Sequence, residues 1–407
     1  MKKLITIIFI LLPFLSACTK SLQIKVSNSL PTDRINEIIE LNLTPICQNL
    51  NITESDPFII ENDKREEIPY QITYDKKIIF QASVYALGNT KFYIHKGNPQ
   101  TYVTKTCGKV YPERLDDLAW ENDLVGFRTY GPALQKRGER AFGYDLFAKR
   151  GTNEPVLADM YAKATDPKKL KELKALRKKD PEAAKKMQKT ITYHADHGHG
   201  MDCYSVGPTL GAGTTALLNG NEIIYPWCYK ECEILDNGPL RFTARLTYPI
   251  KYKESEITEI RIITLDAGSH MNYTTISYQG LKGITPMVTG IVIHNGSDIY
   301  SKNTEEGYIT YQDPTSGPNQ GNLFIGHIFP NSIKDVKAIY FSKEEKKIRN
   351  NANGHILVEN LYTPNTEFGY YWGFGWNRSD IKDFEYWNTY VKQFSQRIKS
   401  PLNITYN

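Results

Sequence analysis

The chain has 407 residues, of which 23% are charged, and its formal net charge is +5. This length is sufficient for one large β domain or two ordinary domains. The excess of positive charge lies between residues 163 and 189, which contain eleven Lys or Arg and four Asp or Glu. The rest of the chain is slightly acidic, and no helix-turn-helix, zinc-finger or RNA-binding motif accompanies the basic segment. The composition therefore argues against a nucleic-acid-binding protein.

The first 17 residues resemble a secretory signal. Lys2 and Lys3 precede an apolar run over residues 4–15, which is too short to cross a bilayer as a helix. Small residues then lead to Cys18, as in a bacterial lipoprotein cleavage box; the alternative is an ordinary signal with a chance cysteine. We therefore expect 1–17 to be removed and Cys18 to anchor the protein in the cell envelope, facing the periplasm or on the outer-membrane surface. The lipid would be its one link to the membrane.

Five other cysteines remain in the mature chain. An oxidising compartment permits disulfides among them, and an odd number leaves at least one thiol unpaired. Cys228 and Cys232 are four residues apart, which would suit half of a metal site, but no second pair accompanies them. Buried thiols or one disulfide are the preferred interpretation.

Short alternating segments separated by turn residues dominate the chain and predict β-strands. Their spacing is typical of a β-sandwich or barrel. The predicted strands are 22–26, 35–43, 58–60, 68–74, 78–84, 90–94, 242–248, 260–265, 272–278, 290–294, 323–328, 338–341 and 356–361.

Two helical regions interrupt or close this pattern. A helical insertion is predicted over about 158–190, where Asp166 and Asp180 each precede a proline, as N-cap residues do. The pattern predicts a solvent-exposed helical hairpin. The alternative is that the insertion covers a functional site as a lid. Residues 379–400 carry apolar side chains at helical spacing and predict an amphipathic C-terminal helix.

The densest polar cluster lies between Tyr193 and Tyr204, which we call the motif loop. It contains His194, His197 and His199, three of the eight histidines of the chain, within six residues. A hydrophobic core does not require three such closely spaced histidines. The motif loop is therefore the first candidate for a functional site, and a polar loop packed on the sandwich is the alternative.

Three chemistries suit this loop. Elimination from a uronic acid requires a base, an acid and a cation for the substrate carboxylate. Histidine and tyrosine carry protons, and Arg128 could hold a carboxylate; strand alternation would place Tyr130 on the same face as Arg128. Metal-assisted hydrolysis and glycoside hydrolysis by paired carboxylates are the other two. The candidate metal ligands are His194, Asp196, His197 and His199, and the candidate carboxylates are Asp123, Asp196 and Asp202.

Several enzyme classes lack their sequence signatures in this chain. The sequence has no G-x-S-x-G elbow, no Walker loop and no dinucleotide-binding G-x-G-x-x-G motif. Trp376 lies in an aromatic, Gly-rich stretch and suits either a sugar-stacking platform or core packing.

Five runs carry a family resemblance: WENDLVGFRTYGPAL, GYDLFAKR, YHADHGHGMDCYSVGPTLGAGTTALL, YPWCYKECEILDNGPLRFTARLTY and LDAGSHMN. They resemble the Bacteroidetes lipoproteins catalogued as domain of unknown function 4861. One branch of that family is an ulvan oligosaccharide dehydratase. The family loop Y-H-x-D-H-G-x-G-x-D-x-Y matches Tyr193, His194, Asp196, His197, Gly198, Gly200, Asp202 and Tyr204, and leaves His199 at a variable position.

The resemblance implies a carbon–oxygen lyase that eliminates water from a terminal uronic acid of an acidic oligosaccharide. The run at 265–272 also resembles a strand corner of galactose-mutarotase-like sandwiches, so we expect a mainly β, two-sheet supersandwich forming one catalytic domain over 18–407. The expected catalytic residues are His197 or His194 as base, Tyr204 as acid or base partner and Arg128 as clamp. The expected substrate-binding residues are Tyr130, Asp123, Asp196, Asp202, Tyr193 and Trp376.

We expect no cofactor, although a structural or catalytic divalent metal is the alternative that the histidines leave open. The expected partner is an acidic oligosaccharide substrate, without nucleic acid. A hydrolase of acidic glycans and a non-catalytic glycan-binding lipoprotein are the rival functions.

Overall fold

The structure is a computed structural model and describes residues 20–317, 319–331 and 333–406. The predicted signal peptide and the anchoring Cys18 lie outside these residues. Within them, no helix is both long enough and apolar enough to cross a membrane.

The described residues are mainly β, as predicted from the alternating segments. The strands are β1 (Ser21–Ser27), β2 (Arg34–Asn42), β3 (Phe58–Glu61), β4 (Tyr70–Ile72), β5 (Lys77–Val84), β6 (Asn89–Lys96), β7 (Cys107–Tyr111), β8 (Asp117–Glu121), β9 (Gly126–Thr129), β10 (Asp145–Lys149), β11 (Gly200–Asp202), β12 (Ala212–Asn219), β13 (Glu222–Ile224), β14 (Glu231–Asn237), β15 (Arg241–Tyr252), β16 (Ser255–Asp266), β17 (Met271–Gln279), β18 (Thr285–Ile293), β19 (Tyr300–Asn303), β20 (Tyr308–Asp313), β21 (Leu323–Ile328), β22 (Asp335–Tyr340), β23 (Gly354–Tyr362), β24 (Phe368–Trp376) and β25 (Asn403–Tyr406).

Helices are few and mostly short. They are α1 (Leu43–Leu50), α2 (Pro132–Lys136), α3 (Leu157–Thr165), α4 (Pro167–Lys179), α5 (Pro181–Ile191), α6 (Lys343–Ile348) and α7 (Phe384–Lys399), together with a 3-10 turn at Pro112–Arg114. The predicted C-terminal helix corresponds to α7, which packs Trp387 and Val391 against β20 and β21.

Two large antiparallel sheets face each other across the main hydrophobic core. One has eight strands in the order β14-β15-β16-β17-β24-β21-β20-β19, and the other has five in the order β13-β12-β18-β23-β22. Alternate side chains of both sheets are buried in this core, as expected for a sandwich. The Tyr370 hydroxyl on one sheet donates to the Gly213 carbonyl of the other at 2.8 Å.

A smaller unit at the N-terminal end has its own core. The sheets β25-β1-β6-β3 and β2-β5-β4 enclose it together with α1. Strand β25 pairs antiparallel with β1, so the last described residues complete a sheet that the first ones began. The side chains of Glu40 and Gln71 connect this unit to Arg241 at the start of β15.

The helical insertion consists of α3, α4 and α5 and separates β10 from β11. The Asp166 carboxylate accepts the backbone N–H of Lys168 at 2.8 Å, and Asp180 accepts that of Ala183 at 2.9 Å. Both N-caps follow the sequence prediction. Helices α4 and α5 share a small apolar cluster, whereas α3 packs on a third sheet, β11-β10-β9-β8-β7.

Candidate functional site

The third sheet presents two chemically different faces. Because side chains alternate along a strand, Trp120, Phe127 and Leu146 point into the main core. The opposite face carries polar residues and is covered by α3. Those residues are Asp117 on β8, Arg128 on β9, Asp145 on β10 and Asp202 on β11, and all four are buried.

These four residues form a charged cluster that we call the Arg128 centre. Arg128 pairs with Asp145 across the strands, and its Nε donates to Asp145 Oδ2 at 2.8 Å. Its Nη2 donates to the same oxygen and to Asp202 Oδ2 at 2.9 Å. Asp117 Oδ2 lies 3.8 Å from Arg128 Nη1, and the Tyr130 hydroxyl donates to Asp145 Oδ2 at 2.6 Å. One guanidinium therefore faces three buried carboxylates.

Burial perturbs the protonation of these carboxyl groups. Burial raises the pKa of Asp117 to about 7, although the nearby Arg128 and Arg114 act to lower it. Burial also raises the pKa of Asp202 above its ordinary value, against the opposing effect of Arg128. The Arg128 pKa stays well above its ordinary value despite burial, because Asp145 and Asp202 favour the charged form. The centre can therefore hold a proton near neutral pH on a carboxyl group.

Several polar atoms around Arg128 are buried without a hydrogen-bond partner among the described residues. They are Arg128 Nη1, Asp117 Oδ2, Asp202 Oδ1 and the hydroxyl of Tyr161 on α3. Leaving such an atom unsatisfied costs about 1–3 kcal/mol, so their convergence in one place is unfavourable for stability alone. Such a cluster is typical of a functional site.

The glycines and Asp196 give the motif loop its shape. Gly198 and Gly200 have φ angles of 98° and 117°, and a Cβ on Gly200 would lie 2.0 Å from the Ala148 carbonyl oxygen. Asp196 Oδ1 accepts the N–H groups of both glycines at 2.9 and 3.2 Å. Its other oxygen accepts from Arg150 at 2.8 Å. Asp196 thus orders the loop through the oxygens that were expected to bind substrate.

His194 connects the solvent to the buried centre. Its Nδ1 lies 3.1 Å from the backbone carbonyl oxygen of Asp202 and 3.6 Å from the Asp202 carboxylate. Because a carbonyl oxygen only accepts, this contact places a proton on Nδ1, so that in the neutral imidazole the lone pair is on Nε2. The His194 side chain is 60% exposed, and its ring lies 4.5 Å from the ring of Tyr193.

The other two loop histidines line a neighbouring cavity. His197 Nε2 donates to the Thr192 carbonyl at 2.9 Å, and both His197 and His199 are exposed. Together with Tyr193 they border a cavity of about 180 Å³ between the motif loop and α3. Across the described ranges, no three or more His, Cys, Asp or Glu side chains are grouped so as to hold a metal ion.

Two predicted site residues make no hydrogen bond to the Arg128 centre among the described residues. Tyr204 is buried in the main core, where its ring packs edge-on against His294 at 5.3 Å. Asp123 lies in the turn between β8 and β9, where its carboxylate accepts the Gly268 N–H at 2.6 Å. The contacts of Tyr204 and Asp123 are therefore with His294 and Gly268.

Trp376 is 1% exposed, so its faces are covered by protein. Its indole N–H donates to the Gln320 carbonyl at 2.8 Å. The guanidinium carbons of Arg150 and Arg378 lie 5.4 and 5.5 Å from its ring centroids. The structure thus places Trp376 in the core-packing role that the sequence offered as the alternative to a sugar platform.

Four residues of the site were not selected from the sequence. Asp117 and Asp145 lie next to apolar strand residues, and a charge alternating with Leu118 or Leu146 was the signal available for them. Tyr161 and Arg114 come from α3 and from the 3-10 turn, and no local pattern relates them to Arg128.

The five cysteines of the described residues are all unpaired.

Comparison with known proteins identifies the family. A family model described as "Domain of unknown function (DUF4861)" matches residues 26–404. The chain belongs to the DUF4861 family. This DUF4861 chain is 26% identical over 428 aligned residues to "Uncharacterized protein P7" of Formosa agariphila, with 100% of both chains covered. The family predicted from the sequence runs is confirmed.

Two solved structures from Enterococcus faecalis are similar to this DUF4861 chain. One is a protein in the glycosyl hydrolase family 38, with 7% identity and a TM-score of 0.49. The other is an alpha-mannosidase, with 8% identity and a TM-score of 0.44. Each alignment covers 95% of this chain but 47% and 46% of the solved chains, so the DUF4861 chain spans about half their length.

Proposed function

We propose that this DUF4861 protein is a carbohydrate-active carbon–oxygen lyase of the oligosaccharide dehydratase type. It would eliminate water from a terminal uronic acid of an acidic oligosaccharide and leave a 4,5-unsaturated uronyl end. The observation that carries the proposal is the exposed imidazole of His194, held through Nδ1 by the buried Asp202. With the predicted lipid on Cys18, the reaction would take place in the cell envelope.

The chemistry requires a base that is unprotonated near neutral pH. The hydrogen at C5 of a uronic acid is weakly acidic because it is adjacent to the carboxylate, and its removal gives an enolate-like dianion. His194 Nε2 would accept this proton. The electron pair of the broken C5–H bond would form the C4–C5 double bond, and the C4 hydroxyl would leave with a second proton as water.

The second proton requires an acid on the same side of the site. We assign it to Tyr193, whose ring lies beside His194 and lines the 180 Å³ cavity. Burial raises the pKa of Tyr193, although Arg128 and Arg114 oppose this, so the phenol is protonated at neutral pH. Tyr204, the acid expected from the sequence, packs in the main core, which is why the role passes to Tyr193 in this proposal.

Ultraviolet absorbance of the conjugated double bond tests the proposal. Saturated oligosaccharides ending in a uronic acid should gain this absorbance when incubated with the protein, and their mass should fall by one water. A His194→Ala variant should abolish the signal, whereas His199→Ala should keep it. Cleavage that releases reducing sugar without a new double bond would reject the lyase assignment.

A hydrolase is the second candidate because one observation favours it. Asp117 has a pKa raised to about 7 by burial, which is a range suited to a general acid in glycoside hydrolysis. It would be supported by reducing-sugar release that Asp117→Asn abolishes and His194→Ala leaves unchanged.

A further inference from the structure

Arg128 is already neutralised in the structure and is poorly placed to bind a substrate carboxylate. Two of its nitrogens donate to Asp145 and Asp202, and Asp117 lies near the third. With three buried carboxylates around one guanidinium, a fourth carboxylate placed here would be repelled. Recognition of an acidic sugar therefore requires a cation outside this set.

Arg114 is a cation outside this set that contacts Tyr193 of the motif loop. It ends the 3-10 turn before β8 and is half-buried. Its guanidinium carbon lies 5.0 Å from the ring centroid of Tyr193 and 5.8 Å from that of Tyr161. Its Nε is buried without a hydrogen-bond partner among the described residues. Among the described residues Arg114 forms no salt bridge, whereas Arg128 pairs with Asp117, Asp145 and Asp202.

The two tyrosine rings fix Arg114 without cancelling its charge. A guanidinium stacks favourably on aromatic faces and keeps its planar set of N–H donors available to a carboxylate. An ion pair with protein would instead have consumed both the charge and the donors. Arg114 therefore acts on the nearby Asp117 through its charge, while its N–H donors remain available to a substrate carboxylate.

Arg114 is also close to the proposed base. Tyr193 touches both groups, with its ring 5.0 Å from the Arg114 guanidinium carbon and 4.5 Å from the His194 ring. The guanidinium and the imidazole are thus no farther apart than the sum of these distances, which one sugar ring and its carboxylate can span. A carboxylate held at Arg114 would leave the adjacent C5–H within the reach of His194.

We propose that Arg114 binds the carboxylate of the substrate and makes the site selective for acidic over neutral sugars. This inference rests on the proposed function for its reaction, but carboxylate binding by Arg114 can be measured without turnover.

The test compares two ligands that differ in one carboxylate. The probes are a tetrasaccharide with a terminal glucuronic acid and its carboxyl-reduced counterpart, titrated calorimetrically into the full chain carrying His194→Ala to prevent turnover. We expect the acidic probe to bind more tightly. Adding Arg114→Met should weaken its binding about tenfold to a hundredfold, the loss typical of a charge-assisted hydrogen-bonded pair, and leave the neutral probe unaffected.

A matched control separates recognition from folding. Arg65 also stacks on a tyrosine, with its guanidinium carbon 3.4 Å from the Tyr93 centroid, but it lies in the N-terminal unit. Arg65→Met should change neither affinity. Arg114→Lys keeps the charge and should retain part of the preference even where Arg114→Met loses stability. Equal binding of both probes by the starting protein, or no binding of either, overturns the inference.

The failure of this inference can be told apart from failure of the proposed function. If unsaturated product forms and Arg114→Met retains the normal KM, the carboxylate assignment is wrong and the lyase proposal stands. If no unsaturated product forms but Arg114→Met abolishes the preference for the acidic probe, the reaction is wrong and the acidic-sugar site stands.

Discussion

Two arginines of this protein face several carboxylates, and they do so in opposite ways. Arg241 donates from Nε and Nη2 to the two oxygens of Asp266 at 2.6 and 2.9 Å, and its Nη1 lies 2.6 Å from Glu40. The Asp266 and Glu40 side chains are 24% and 37% exposed. At Arg128, the three carboxylates are buried and several atoms lack partners among the described residues.

This difference in burial and hydrogen bonding suggests a structural role for Arg241 and a functional role for the Arg128 centre. Arg241 links the N-terminal unit to the eight-stranded sheet with satisfied donors and carboxylates that water can reach. The Arg128 centre concentrates unsatisfied charge under α3, next to an exposed histidine. Buried imbalance of this kind costs stability, and proteins retain it mainly where it serves function.

The largest effect should come from removing the two arginines in turn. Arg128→Met leaves Asp117, Asp145 and Asp202 buried without a cation and should lower the free energy of unfolding by about 3–5 kcal/mol. Arg241→Met should cost about 1–2 kcal/mol, because its partly exposed partners can be rehydrated. Urea unfolding midpoints measure both. Equal losses would show that the two arginines have the same role.

A charge-repair variant sharpens this result. Adding Asp145→Asn to Arg128→Met removes one of the stranded carboxylates and should recover part of the lost stability. The same repair at the other arginine, Asp266→Asn with Arg241→Met, should recover little. If Asp145→Asn recovered no stability, the destabilisation by Arg128→Met would come from lost packing of the aliphatic part of the Arg128 side chain.

The next effect concerns activity at His194. If its imidazole is the base, His194→Ala should lower kcat for elimination by about 10²–10⁴-fold. Its free energy of unfolding should change by less than about 0.5 kcal/mol, because the side chain is largely exposed. His199→Ala is the matched control and should change neither quantity. Loss of stability without loss of turnover would make His194 a structural residue of the loop.

Much of the fold and part of this site could be predicted from the sequence. The thirteen predicted strands, the helix caps at Asp166 and Asp180 and the common face of Arg128 and Tyr130 follow from local periodicity and capping chemistry. Strands β7, β8, β10 and β11 of the third sheet were not predicted. The partners of Arg128 could not be predicted that way, because β11 joins β10 across the whole helical insertion. Arg114 and Tyr161 reach the centre only through tertiary packing, which no spacing along the chain encodes.

The raised pKa of Asp117 makes stability depend on pH. An aspartate has a pKa near 3.9 when unfolded and Asp117 has one of about 7 when folded, so the folded state binds more protons between these values. Its contribution to stability is therefore present below about pH 4 and is lost as pH rises toward 7. Asp117→Asn cannot ionise at this position and should not show this loss. The free energy of unfolding of the variant, compared with that of wild type, should therefore be more favourable at pH 8 than at pH 5. Urea midpoints at both pH values measure the difference, which should be on the order of 1–3 kcal/mol.

The smallest effect, at Glu40, should have the opposite sign with pH. Burial acts to raise the pKa of Glu40, but Arg241 and Lys77 outweigh it and hold the pKa below its ordinary value. The folded state thus binds fewer protons than the unfolded one, so this contribution is present above about pH 4.5 and is lost as pH falls. Glu40→Gln should cost less than about 1 kcal/mol at pH 7, since the side chain is 37% exposed, and nothing at pH 3. Glu40 reports on Arg241 and Asp117 reports on Arg128. If Glu40→Gln and Asp117→Asn changed the free energy of unfolding in the same direction with pH, the two arginines would affect their carboxyl groups in the same way. Opposite slopes would instead show that one arginine stabilises its carboxylates while the other leaves its own underpaired.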